Sequence, residues 1–122
     1  MLWSSPGFGQ SRDDPSAEIL TLTREVFAEL EKDVNFRQMR DSYGVCLKHI
    51  ADQILPRGQL PEFVFRMKFD CAAVRASFVT FTATLIRQMP GFEGPAGPLA
   101  ETKVTLDEIR LIDLFRKRIG EL

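Results

Sequence analysis

Residues that commonly build catalytic and metal sites are scarce in this sequence. Its 122 residues include one histidine, one tyrosine, one tryptophan and two cysteines. No GxSxG, Walker A or GxGxxG sequence occurs, so the common hydrolase, phosphate-binding and dinucleotide-binding motifs are absent. No pair of carboxylates can be singled out for acid–base chemistry. We therefore expect that the chain is not an enzyme and needs no cofactor.

Long apolar runs and a strong net charge are absent as well. No segment reaches about eighteen uninterrupted apolar residues, the length of a transmembrane helix. The N-terminus lacks the basic and apolar regions of a signal peptide. The formal net charge of −1 argues against bulk attraction to nucleic acid or to an anionic membrane. We expect an intracellular protein, cytoplasmic or nuclear, with no membrane partner.

The two cysteines lie inside apolar periodic segments and belong to no CxxC pair. We expect Cys46 and Cys71 to be buried, reduced thiols, as in an intracellular protein, although the sequence does not exclude one disulfide. A zinc site can be drawn from these two cysteines with His49 and Asp70. This site would require the second and third helices to bring the four side chains to the same level along their axes. The spacing of the residues does not require such an alignment, so we predict no metal site.

Composition divides the chain into a tail and one domain. Residues 1–14 are rich in Gly, Ser, Pro and Asp and show no periodicity, which predicts a flexible N-terminal tail. Trp3 and Phe8 give this tail a second interpretation, a short docking motif. Residues 15–122 have the length and the apolar content of a single helical domain.

The first two helices are predicted by capping residues and apolar spacing. Asp14 and Pro15 are typical of a helix start, and the pattern predicts a first helix over 15–32. Asn35 is a candidate cap for a second helix, which ends at the turn sequence LPRGQLP. Its apolar stripe is the most regular in the chain: Phe36, Met39, Tyr43, Cys46, Ile50 and Ile54.

The segment from Pro61 to Gln88 supports two interpretations. Between Phe63 and Phe69, large apolar residues occupy every second position, which is typical of a strand. The positions that follow favour a helix, with apolar residues at spacings of three and four: Met67, Cys71, Val74, Phe78, Phe81 and Leu85. We predict one long helix over 61–88; the alternative is a hairpin over 62–86, which would change the class to α+β.

The C-terminal part is predicted to contain a loop and a last helix. The sequence MPGFEGPAGPLAETK has the prolines and glycines of a loop. Thr105 and Glu108 have the spacing of a capping box and predict the start of the last helix. Together these segments predict an all-α fold, a small bundle of about four helices around one core.

The segment 61–88 is apolar on more than one side, which indicates a central helix or one that a partner covers. We therefore predict a non-catalytic protein–protein interaction or adaptor module. In this hypothesis an apolar groove around helices two, three and four, rimmed by arginines, binds another protein subunit or a second copy of the chain. The predicted anchors are Phe65, Phe69, Phe92 and Phe115, and the predicted rim residues are Arg37, Arg40 and Arg66.

Charge distribution supplies an alternative function. Residues 13–35 carry seven acids and two bases, a net −5, whereas residues 36–90 carry eight bases and four acids, a net +4. The basic segment could neutralise phosphates, so nucleic-acid association is the alternative. The uneven distribution could equally bring the acidic first helix against the basic segment.

Overall fold

The computed structural model describes residues 15–57 and 60–120. Within this part the chain forms five α-helices, one 3-10 turn and no strand. The all-α prediction is confirmed and the hairpin alternative is wrong, but the count of about four helices becomes five. The predicted tail 1–14 lies outside the described residues. The helices are α1 (Pro15–Lys32), α2 (Val34–Ile54), α3 (Leu60–Asp70), α4 (Ala72–Arg87) and α5 (Ala96–Gly120); the 3-10 turn is Leu55–Arg57.

A single residue separates α1 from α2. The predicted bounds of α1 are confirmed, and Asp33 follows it in an extended conformation. The Asp33 carboxylate accepts a 2.8 Å hydrogen bond from the Phe36 N–H and so caps α2. The predicted cap at Asn35 is therefore wrong, because Asn35 already lies within the first turn of the helix.

The predicted single helix over 61–88 is wrong, because the chain bends by 68° between α3 and α4. Cys71 lies at the bend with φ −105° and ψ 9°, outside the helical range. A disulfide joins Cys71 to Cys46 in the middle of α2, with 6.0 Å between the two Cα atoms. On α3, Phe63 and Met67 are buried in the core. These long-range attachments direct α3 away from the axis of α4.

The same disulfide overturns the expectation of two reduced thiols. It also uses both sulfur atoms that the zinc arrangement would require. Within 15–57 and 60–120, no group of three or more His, Cys, Asp or Glu side chains is placed to hold a metal ion. The intracellular location rested partly on reduced cysteines and stays a prediction without that support.

The predicted start of the last helix at Thr105 is also wrong, since α5 begins at Ala96. Pro98 lies in the first turn of α5, where a missing N–H breaks no helical hydrogen bond. Ala96, Ala100 and Val104 are buried on one side of this early part of the helix, which packs along α4. The loop before α5 is correspondingly short and turns at Gly91, whose φ is +80°.

The core is centred on α2, which packs against each of the other four α-helices. Two aromatic contacts connect it to α4: the Phe36 and Phe78 ring centroids are 5.3 Å apart, and those of Tyr43 and Phe78 are 6.1 Å apart. Among the described helices, none alone combines the length and apolar composition of a membrane span; α3 and α4 do so only as a pair across their bend.

Candidate interaction surface

Two phenylalanines on α3 form an exposed aromatic pair. Phe65 and Phe69 are one helical turn apart and are 60% and 68% exposed. Their ring centroids are 4.9 Å apart and the ring planes are tilted by 55°. This geometry lies within the range of favourable aromatic contacts. The opposite side of the helix carries the buried residues Phe63 and Met67. The pair is therefore held by a helix that is itself anchored in the core.

The third predicted α3 residue, Arg66, lies beside this aromatic pair. Its guanidinium contacts the Asp70 carboxylate at 2.9 Å from Nε and 2.7 Å from Nη2. Both side chains remain more than a third exposed, so the ion pair contributes little to stability. Lys68 is exposed on the same helix. The structure thus brings together Phe65, Phe69 and Arg66, with charged side chains bordering an apolar pair.

Phe92 and Phe115 belong to other parts of the molecule. Both are half-buried and pack against the core. Phe92 lies between α1 and the start of α5, where it lines a mainly apolar groove of about 540 Å³ together with Leu22, Pro95 and Leu99. Phe115 lies near the end of α5. The four predicted anchors therefore do not share one helix face.

The predicted rim residues Arg37 and Arg40 lie near the start of α2 and contact α1. Arg37 donates a 2.7 Å hydrogen bond to the Glu31 carbonyl oxygen. Arg40 is partly buried; its Nη1 lies 2.6 Å from Glu31 Oε2 and 3.5 Å from Asp107 Oδ2. Its ring contact is also internal, with the guanidinium carbon 5.4 Å from the Phe36 centroid. Arg40 thus belongs to a network of charged side chains between the helices, which includes Glu31 and Asp107.

That network includes a buried ion pair in α5. Lys103 Nζ contacts Asp107 Oδ1 at 3.0 Å and Glu31 Oε2 at 2.6 Å, and both α5 side chains are almost inaccessible to solvent. Lys103 also lies 5.4 Å from the Phe27 ring centroid. Partial burial acts to raise the pKa of Glu31, but the hydrogen bonds and charges of Arg40 and Lys103 outweigh it and lower the pKa to about 2. Glu31 is therefore ionised under ordinary conditions.

A second network joins α2, α4 and α5. Glu108 Oε1 accepts hydrogen bonds from Tyr43 Oη at 2.6 Å and from Arg75 Nε at 2.9 Å. Arg75 also contacts Glu101 at 2.7 Å and donates to the Thr105 hydroxyl at 3.1 Å. Burial and the hydrogen bond to Glu108 raise the pKa of Tyr43. The tyrosine is therefore a neutral donor here, which does not fit a proton-abstracting role.

A cleft of about 600 Å³ opens beside this second network. The network residues Tyr43, Arg75, Glu101 and Glu108 line it together with Lys68 and Thr80, while Met67 and Val79 belong to its apolar side. The polar groups of the network are paired with one another, so the site offers no uncompensated charge from that network to a ligand. These side chains therefore connect the helices at the edge of the cleft.

Sequence reasoning missed both networks because their members are distant along the chain. Tyr43 and Glu108 are 65 positions apart, and Lys103 and Glu31 are 72 positions apart. One local signal was available: Lys103 and Asp107 are four positions apart, the spacing of a helical ion pair. Both are buried on α5 near Val104, so two charged residues interrupt the apolar face of this helix.

Several basic residues of segment 36–90 are paired within the chain. Lys48 contacts Asp52, Arg66 contacts Asp70, and Arg75 contacts two glutamates. Arg40 contacts Glu31 on the acidic first helix, as internal complementarity would predict. This pairing reduces the positive charge that a nucleic acid would meet, so the nucleic-acid alternative stays a prediction with weaker electrostatic support.

Comparison with protein families, with characterised proteins and with solved structures found no match to this chain.

Proposed function

We propose that this protein is a non-catalytic interaction module that binds a partner protein through the exposed side of α3. The observation that carries the proposal is the Phe65–Phe69 pair: two large aromatic side chains, both more than half exposed and in contact with each other. Aromatic residues in such clusters supply much of the binding energy in protein interfaces. A partner would remove this apolar area from water at little cost in ordering, because the rings already contact each other.

The exposure of the two rings defines the kind of partner. Spacing of i and i+4 on an amphipathic helix is the pattern by which helices enter an apolar groove. In this proposal α3 supplies the protruding side chains and the partner supplies the groove. This reverses the predicted arrangement, in which a groove on the present chain accepted a partner helix. Arg66, Asp70 and Lys68 would lie at the polar edge of the interface, where charges affect specificity more than affinity.

The internal charge networks support the non-catalytic part of the proposal. Glu108 accepts hydrogen bonds from both Tyr43 and Arg75, and Lys103 contacts both Glu31 and Asp107. A catalytic acid or base must reach a substrate proton, and these groups are engaged between helices instead.

The test is a binding experiment with two variants of the full chain. The tagged protein is used to capture partners from its native extract, with and without nuclease, and the captured proteins are quantified by mass spectrometry. Phe65→Ser/Phe69→Ser removes the aromatic pair, whereas Ile109→Ser removes an exposed apolar side chain of similar accessibility on α5. Circular dichroism verifies that both variants keep the helical fold.

We expect a stoichiometric protein that survives nuclease, is lost from the Phe65→Ser/Phe69→Ser variant and is kept by the Ile109→Ser variant. Sedimentation of the purified protein distinguishes a second copy of the chain from a different partner. Equal capture by all three proteins would overturn the assignment of the surface. Loss of all captured material on nuclease treatment would favour the nucleic-acid alternative.

A further inference from the structure

The bend between α3 and α4 has no local cause in the sequence. No proline or glycine lies between Glu62 and Gln88, and these are the residues that most often break or kink a helix. The apolar spacing also continues through the bend, from Met67 through Cys71 to Val74. The local sequence therefore favours one continuous helix, whereas the structure bends by 68° at Cys71.

The backbone at the bend is close to that of a continuous helix. The Cys71 N–H bonds the Met67 carbonyl at 3.1 Å, and the Arg75 N–H bonds the Cys71 carbonyl at 2.9 Å, both with helical i to i−4 spacing. Between them lie the N–H groups of residues 72–74, which have no partner within α4 because they form its first turn. No side chain caps this end of α4. In a continuous helix these three groups would bond to the carbonyls of residues 68–70.

The disulfide attaches this bend to α2. Cys71 is completely buried, whereas Cys46 is partly exposed. The Cys46 sulfur lies 3.9 Å from the Asp70 carbonyl oxygen, which is the helical partner that the Val74 N–H would have in a continuous helix. An attacking thiolate must reach one sulfur atom along the S–S axis, so Cys46, the partly exposed cysteine of the pair, is the point of entry.

We propose that the Cys46–Cys71 disulfide is a thiol-exchange site that holds the bend, and that its reduction by a dithiol detaches the bend from α2, so that Phe63 and Met67 leave the core and α3 continues α4 as one helix. The dithiol thiolate attacks Cys46 Sγ and forms a mixed disulfide, and Cys71 leaves as a thiolate that takes up a proton. The second thiol of the reductant then displaces Cys46, which is also protonated, and the reductant becomes a disulfide. Adding residues to an existing helix requires no new nucleation, so the released segment continues α4.

This switch would move the helix that carries Phe65 and Phe69, but it does not depend on whether those residues bind a partner. Its test measures the backbone directly. Amide hydrogen exchange of Ala72, Ala73 and Val74 is followed by NMR in the full chain, before and after reduction with dithiothreitol. Straightening gives these three amides hydrogen-bond partners, so we expect their exchange to slow by at least about twofold.

A local control distinguishes straightening from other effects of reduction. Ala72→Pro places proline at the first position of α4, where it removes no hydrogen bond of the bent form. Proline disfavours the ψ of 9° at the preceding Cys71, so circular dichroism of the oxidised variant first verifies that it keeps the fold. In a continuous helix the same proline would lose a hydrogen bond and would clash with the Lys68 carbonyl. We therefore expect that reduction of the Ala72→Pro protein does not slow exchange at Ala73 and Val74. Slowing of the same size in this variant would overturn the proposed helix extension.

Three other results would overturn the proposal. Unchanged or faster exchange at residues 72–74 in a folded, reduced protein would show that the bend does not need the disulfide. Loss of the helical circular dichroism signal on reduction would show that the bond is required for the fold. The entry point is tested by incubation with glutathione and peptide mapping, where an adduct on Cys71 alone would contradict attack at Cys46.

Discussion

Tyr43 Oη donates a 2.6 Å hydrogen bond to Glu108 Oε1 and so joins the middle of α2 to the middle of α5. The same oxygen accepts a 2.9 Å bond from Arg75 on α4. Three helices therefore share one carboxylate, which is only slightly exposed at their junction. This arrangement fixes the relative positions of the helices through directional contacts, in addition to the apolar packing of Phe78 beside Tyr43.

Replacement of Tyr43 by Phe removes the hydroxyl and keeps the ring. Hydrogen bonds to charged groups contribute about 1.5–3 kcal/mol, and Glu108 would keep Arg75 as a partner, so we expect a loss near the lower end of this range. Urea unfolding followed by circular dichroism gives the change in the free energy of unfolding. As a control, Arg66→Ala removes a more exposed ion pair and should change stability by less than about 1 kcal/mol. Equal effects of the two substitutions would contradict the structural role of the hydroxyl.

Glu31 makes the stability of the protein depend on pH. Its pKa in the folded protein is about 2, below the ordinary value of 4.5. The unfolded chain therefore binds more protons between these two values, and stability falls as the pH decreases through this range. Because the Glu31 side chain is 39% exposed, solvent screening reduces the effect, and we expect a contribution of about 1–2 kcal/mol.

Urea unfolding at pH 5, 4 and 3 tests this contribution. We expect the Glu31→Gln protein to lose less stability across this range than the unmodified chain, because it lacks the carboxylate that titrates. Glu29→Gln is the matched control, since Glu29 forms an exposed ion pair with Lys32 on the same helix. If Glu31→Gln and the unmodified chain show the same pH dependence, the network around Glu31 is not intact in solution.

The sequence predicted those elements whose limits depend on nearby residues. The range of α1 was predicted because Pro15 and the residues after Lys32 mark its ends locally. The break at Cys71 was not predicted, because this residue forms a disulfide with Cys46, which lies 25 positions earlier in the chain. Thr105 and Glu108 resembled a capping box, but their side chains bind Arg75, and Glu108 also binds Tyr43. Non-local partners thus replaced the local ones that the pattern predicted.

The residues of the candidate interaction surface also differ in how well the sequence could identify them. Phe65 and Phe69 could be selected because they lie outside the main apolar stripe of their segment, and the structure places both on the surface. Arg40 could not be distinguished from Arg37 or Arg66 by sequence, since all three are basic residues in helices. Its partial burial depends on Glu31 from α1 and Asp107 from α5, which only the packed structure brings together.

The buried pair Lys103–Asp107 provides a test of how charge is balanced in the core. Lys103→Met leaves the Asp107 carboxylate, 2% exposed, with only a 3.5 Å contact to Arg40. Breaking a buried ion pair in this way costs about 3–5 kcal/mol. The double variant Lys103→Met/Asp107→Leu removes both charges and should recover most of this loss. Urea unfolding of the two single variants and the double variant gives the coupling energy; additive losses would contradict the pairing.

Gly44 tests how closely α2 and α5 pack. A Cβ atom built on Gly44 would lie 3.7 Å from Leu111 Cδ1, an ordinary van der Waals distance. Glycine within a helix costs about 0.5–1 kcal/mol relative to alanine, and nothing in this geometry opposes the methyl group. We therefore expect Gly44→Ala to raise the free energy of unfolding by about this amount. Gln38→Gly, at an exposed position of the same helix, should lower it by a similar amount. A destabilised Gly44→Ala protein would mean that α5 approaches α2 more closely than these distances indicate, and that the glycine is required for the contact.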